Sequence, residues 1–111
     1  MRTTSPTVYL LTSKRNGTLY AGVTSDLPAR IDQHRRGLIP GFTRDYGVRT
    51  LVWFEAHETM EEAILREKRI KKWNRAWKLK LIESGNPEWQ DLAVELGFPP
   101  LAHTGFPLSR E

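Results

Sequence analysis

Residues 8–34 read Val-Tyr-Leu-Leu-Thr-Ser-Lys-Arg-Asn-Gly-Thr-Leu-Tyr-Ala-Gly-Val-Thr-Ser-Asp-Leu-Pro-Ala-Arg-Ile-Asp-Gln-His, and this stretch decides the fold. Asn16-Gly17 lies between two apolar, strand-like runs, and both residues tolerate positive φ, which marks a β-hairpin. A two-residue turn pairs Arg15 with Thr18 and sets Tyr9 opposite Thr24, Leu11 opposite Gly22 and Ser13 opposite Tyr20. A four-residue loop keeps this parity and draws the two tyrosines closer, whereas a three-residue loop breaks it. The pattern favours Tyr9, Tyr20 and Gly22 on one face, with Val8, Leu10, Leu19, Ala21 and Val23 directed into a core.

The hairpin runs directly into a helix. Asp26 or Ser25 can cap it, Pro28 fits its first turn and Gly37 follows its end. Leu27, Ile31 and Leu38 make its expected buried stripe, and Arg30 and His34, one turn apart, share the adjoining face. Strand tyrosines most often fill cores, and an Arg/His pair on a helix most often faces water. Neither pair is informative alone.

A carboxylate in an apolar stripe is the second feature. Thr59-Met60-Glu61-Glu62 is a capping box, so a helix starts near residue 60. Its apolar positions are Met60, Ala63, Ile64 and Ile70, and Glu67 falls among them, four residues after Ala63 and three before Ile70. Burying an unpaired carboxylate is costly, so Glu67 needs an ion, a basic partner or a site. Lys71 on the surface or Arg30 inside would each serve as a purely structural partner.

Taken together these residues resemble the GIY-YIG nuclease superfamily, in its small single-domain branch related to the N-terminal incision domain of the bacterial excinuclease C subunit. Thr7-Val8-Tyr9 and Tyr20-Ala21-Gly22 match the two signature triplets, and Arg30 and His34 follow at the expected places. Arg66-Glu67-Lys68-Arg69-Ile70-Lys71-Lys72-Trp73 resembles the metal-binding glutamate helix, and Asn86-Pro87-Glu88-Trp89 through Leu92 is similar to the same segment of the small members. The likeness covers about residues 7–92. Thr7 stands for a glycine and Val8 and Ala21 for isoleucines, all changes of size within strands. Val23 stands where excinuclease-type members carry a lysine, which removes one positive charge from the vicinity. The resemblance implies a metal-dependent endonuclease acting on DNA, with RNA as second choice, and a setting in DNA repair. It implies Mg²⁺ or Mn²⁺ held by Glu67, with Tyr9, Tyr20, Arg30 and His34 as the other catalytic groups.

The rest of the chain fits one domain. Its 111 residues suffice for one sheet with helices. The expected architecture is α+β: a three-stranded, largely antiparallel sheet flanked by helices, over residues 1–96. A loop rich in Gly, Pro and Arg spans 38–46, a strand 49–56, and helices lie near 60–73, 75–84 and 87–96. Residues 97–111, with Pro99, Pro100 and Pro107, read as a flexible tail. The absence of cysteine suits a reducing cytoplasm, and no apolar run approaches a membrane span or a signal-peptide core.

Charge is unevenly spread. The net charge is +4, but residues 1–80 carry 16 basic and 8 acidic side chains, against 1 and 5 in residues 81–111. Lys68, Lys71, Lys72, Arg75 and Lys78 are the expected nucleic-acid contacts, extended by Arg35, Arg36 and Arg44. Trp73 and Trp77, one turn apart, are read mainly as packing the helix junction. Asn74 and Asn86 are each either a polar group near the metal or a cap for the following segment. His57 reads as a solvated turn residue, and His103 lies in the tail.

Phosphodiester hydrolysis needs an in-line water, a base, and neutralisation of the phosphoryl oxygens. Arg30 supplies a planar fork of donors for those oxygens. Tyr9, Tyr20 and His34 all remain open as the base, because a free phenol ionises only near pH ~10 and needs positive charge beside it. Two other classes of function compete: a nucleic-acid-binding module without catalysis on the same fold, and an adaptor whose partner docks on Trp73, Trp77 or Trp89. No obligate protein partner is evident from the sequence.

Overall fold

In the computed structural model the described residues are 5–101. The hairpin forms β1 (Thr7–Thr12) and β2 (Leu19–Thr24), followed by α1 (Leu27–Arg35), a single helical turn α2 (Phe42–Asp45) and β3 (Thr50–Ala56). Two longer helices, α3 (Met60–Lys72) and α4 (Arg75–Gly85), precede a 3₁₀ turn at Leu92–Leu96. The sheet order is β2-β1-β3 and both pairings are antiparallel. The fold is therefore α+β, as the sequence pattern predicts.

The hairpin closes through the four-residue loop 14–17. The Ser13 amide donates to the Thr18 carbonyl, and that of Gly17 to Lys14, while Asn16 takes the left-handed conformation at φ 59°. The register is consequently Tyr9 opposite Gly22 and Leu11 opposite Tyr20, not the pairing a two-residue turn would give. Parity is unchanged, so both tyrosines share a face. Arg75, at the start of α4, donates to the carbonyls of Asn16 and Gly17 and fastens this loop.

Both faces of the sheet are covered. Val8, Leu10, Ala21 and Val52 pack against Ala63 and Ile70 of α3 and Ile82 of α4. Tyr9, Leu11 and Leu51 pack against Leu27 and Ile31 of α1 and Ala93 of the 3₁₀ turn. A bulge keeps β3 compatible with both layers: Leu10 pairs with Trp53 but Leu11 with Leu51, so Val52 has no partner in β1. Its carbonyl instead accepts from the Asn86 side chain at 3.1 Å.

Three local expectations are corrected. Leu38 is 56% exposed rather than part of the α1 stripe, because the helix ends at Arg35 and Gly37 turns the chain at φ 68°. The 38–46 loop contains α2, bracketed by Gly41 and Gly47, both at positive φ. The helix expected over 87–96 shrinks to Leu92–Leu96. Pro87 disfavours helix at the residue before it, Trp89 sits at φ 56° after the turn 86–89, and Asp91, capping the Ala93 amide, starts the 3₁₀ turn. Beyond it Phe98 packs on the second cluster and Arg35 donates to the Pro99 carbonyl. Of the expected tail, residues 102–111 lie outside the described residues, as does His103.

Candidate active site

Gly22 makes the site possible. A Cβ at that position would lie 2.5 Å from both Cζ and Oη of Tyr9, so only glycine lets the Tyr9 ring cross β2 towards the sheet edge. There Tyr9 Oη meets His34 Nε2 at 3.0 Å, and His34 Nδ1 lies 3.3 Å from Thr43 Oγ1. The Tyr9, Tyr20 and His34 rings form a triangle, with centroids 6.3, 5.7 and 5.7 Å apart. Both imidazole nitrogens are therefore engaged. Tyr9 donating to Nε2 places the ring proton on Nδ1, facing the Thr43 hydroxyl; reversing the tautomer reverses both bonds.

The electrostatics separate the two phenols. Tyr9 is wholly buried, and burial together with the neighbouring Tyr20 pushes its ionisation above the ordinary phenol range, although the Arg30 guanidinium beside it works the other way. Tyr20 is only half-buried. Burial lowers the His34 pKa to about 4, helped by the positive charge of Arg30, so the imidazole is neutral at pH 7. At rest the inner part of the site is thus a neutral phenol–imidazole–hydroxyl chain, with Tyr20 and Arg30 nearer solvent.

Glu67 comes from the opposite layer. Its helix packs against β1 and β2, and the carboxylate, in a residue only 8% exposed, acts electrostatically on Tyr9. Lys71 Nζ stands on Glu67 Oε2 at 2.5 Å, the lysine partner foreseen as a structural alternative. The structure thus brings Tyr9, Tyr20, Arg30, His34 and Glu67 into one neighbourhood. Thr43 joins them without having been singled out in the sequence. The signal that could have found it is the pair of glycines bracketing its short helix.

The outer basic residues divide. Lys68, Lys71 and Lys72 on α3 are exposed, and Lys78 is half-buried with its ammonium near the Lys71 carbonyl. Arg75 is exposed but occupied by the hairpin loop. Arg44 is exposed beside Asp45, and Arg36 pairs with Asp32 one turn away on α1. Arg35 is corrected. Its side chain is only 9% exposed, lies over the Phe98 ring, pairs with Asp91 at 3.7 Å and clamps the 3₁₀ segment, because the end of α1 faces that turn.

Both asparagines prove to be caps. Asn74 accepts from the Trp77 amide, whereas buried Asn86 donates to Val52 and Gln90 carbonyls and accepts from the Gln90 amide. His57 is held by Glu55, which also receives Arg66, rather than standing in solvent. Trp89 is buried with its Nε1 donating to Glu83, and so offers no docking surface. Trp77, expected mainly to pack, is 58% exposed.

The donor set bears on which ion could be held. Among the described residues no three His, Asp or Glu side chains gather as a ready-made cage. A single buried carboxylate fits a hard cation that keeps most of its waters and takes further ligands from its substrate, as Mg²⁺ does. It does not fit a soft or tetrahedral ion, since His34 is committed on both nitrogens and the chain has no cysteine.

This site and this sheet define a class. Residues 5–80 match the model of the GIY-YIG catalytic domain, and the chain belongs to that nuclease family. Among its relatives, a UPF0213 protein of Clostridium perfringens is 44% identical over 89 residues, 80% of this chain and 95% of the relative. A UPF0213 protein of Staphylococcus aureus is 40% identical over 68 residues, 61% of this chain and 83% of the relative. The solution structure of the UPF0213 protein of Bacillus halodurans is similar with a TM-score of 0.51 and 28% identity, covering 86% of this chain and 99% of that one.

Proposed function

We propose that this protein is a metal-dependent endonuclease that hydrolyses phosphodiester bonds in DNA. The gathering of two phenols, a guanidinium and a buried carboxylate in one neighbourhood, within a chain of this family, is the observation that carries the reading. Glu67 would hold Mg²⁺ or Mn²⁺, and the cation would supply Lewis-acid neutralisation of the phosphoryl charge. Arg30 binds the non-bridging oxygens with two parallel donors. Tyr20, the phenol with solvent access, orients the attacking water and, as its phenolate, takes the proton. Tyr9, His34 and Thr43 hold the floor of the site. Burial is the main cause of the low His34 pKa and Arg30 the lesser one, so a phosphate arriving on Arg30 would relieve only the lesser part. Lys68, Lys72 and Arg44 contact the backbone outside the reacting group. We place this activity in the cytoplasm and in DNA repair, and the catalytic unit within residues 1–96. No helix among the described residues is long and apolar enough to cross a membrane.

The test is Glu67→Ala and Arg30→Ala, each assayed on branched, flap and single-stranded DNA, and on RNA, with Mg²⁺ or Mn²⁺. Each change should cost about 10²–10⁴-fold in rate, the range of a removed charge-stabilising or proton-transfer group. Cleavage that survives both changes would overturn the mechanism. One observation favours a second reading, a nucleic-acid-binding module without catalysis: Lys71 already neutralises Glu67. That reading expects binding without added metal and no cleavage of any of these substrates.

A further inference from the structure

We propose that the surface groove on α4, beside its junction with α3, receives one unpaired nucleobase, stacked on the open face of Trp77. This rests on the nucleic-acid reading above and adds the substrate class: strands with bases out of the duplex, as in a flap or a single strand. Trp73, Trp77, Lys80, Leu81 and Ser84 line a cavity of about 380 Å³, with room for one flat heterocycle. The two indoles meet edge to face, 5.9 Å between centroids and 80° between planes. Trp73 is half-buried, and the Arg66 guanidinium lies 5.4 Å from its ring centroid, so its face is already taken. Trp77 is held in place by that neighbour and remains 58% exposed, which leaves part of its ring open to a ligand.

The surroundings select the occupant. Residues 66–80 carry eight Lys or Arg and a single carboxylate, Glu67, which is buried and paired with Lys71. The next carboxylate along the chain, Glu83, accepts from Trp89 Nε1 at 2.7 Å. Exposed Lys80 stands at the groove, ready for the phosphate next to a stacked base. Lys78 reaches the Lys71 carbonyl, so the basic strip is continuous from Glu67 onto α4. An apolar peptide would bury the Lys80 ammonium without a counter-charge, whereas a polynucleotide brings both the π-face and the anion.

The experiment measures dissociation constants of the full chain in EDTA, so that binding is read without cleavage. The probes are a labelled single strand, a duplex bearing a single-stranded flap, and a blunt duplex. Wild type should prefer the first two, with quenching of tryptophan fluorescence. Trp77→Ala should weaken both by about ten- to a hundredfold, the worth of one stacked base. It should leave the blunt duplex unchanged, while Trp77→Phe recovers most of the affinity. The proposal is overturned if Trp77→Ala binds all three probes like wild type or loses equally on all three. It is equally overturned if wild type forms a dimer in sedimentation that Trp77→Ala abolishes with no change in DNA affinity. Because the assay contains no metal, cleavage that survives the Glu67→Ala test leaves it standing, and equal binding here leaves the hydrolytic reading standing.

Discussion

His34 joins the sequence, the fold and the chemistry in one residue. It lies one turn after Arg30, and its burial comes from Tyr9 on one side and Thr43 on the other. The folded protein refuses it a proton until the pH nears 4, whereas an unfolded histidine accepts one near pH ~6.5. The stability this contributes is fully present above pH ~6.5 and is lost as the pH falls from there towards 4, by up to about 3 kcal/mol. Urea midpoints measured across that interval should fall steeply in wild type and more shallowly in His34→Asn. The pairing of Arg30 with His34 was legible, since helical spacing alone sets it. That His34 would be buried was not, because its cover comes from a loop with no periodicity to read.

At the scale of elements, the hairpin, the capped helices and the carboxylate in the α3 stripe were legible because each follows from local rules. Thr59 caps α3 as read, with the Glu62 amide donating to its hydroxyl. Loop length was decided by contacts elsewhere: Arg75 grips the carbonyls of Asn16 and Gly17 from α4, 58 or more residues along the chain. The bulge in β3 was likewise invisible, since it exists to let Leu51 serve one layer and both Val52 and Trp53 the other. Asn86 completes that bulge. Asn86→Ala would strand the Val52 carbonyl and two backbone groups of Gln90, and should cost about 3 kcal/mol by chemical denaturation. Nuclease activity below the unfolding transition should change far less, which would separate a scaffold residue from a metal ligand.

The molecule as a whole presents its positive charge unevenly, and surface position rather than residue type decides what each cation does. Lys68 and Lys72 face solvent, whereas Arg35 faces inward. If the first two meet phosphates, Lys68→Ala with Lys72→Ala should lower the slope of log affinity against log salt concentration by ~1–2. Arg35→Ala should leave that slope as it is and instead lower the thermal midpoint, through loss of the clamp on the 3₁₀ segment. Composition could count these cations but could not orient them; Asp91, Phe98 and Pro99, which flank the Leu92–Leu96 turn and capture Arg35, carry almost no sequence periodicity.

The groups assembled around Tyr9 come from both sides of the sheet: Arg30 and His34 ride on the layer under α1, Glu67 on the layer under α3. A folding intermediate with only one layer docked would own half the chemistry and none of the turnover. The hydrolysis proposed for this architecture should be all-or-nothing with respect to structure, and its disappearance along a denaturant series should report the last interface to form, not an average over the chain.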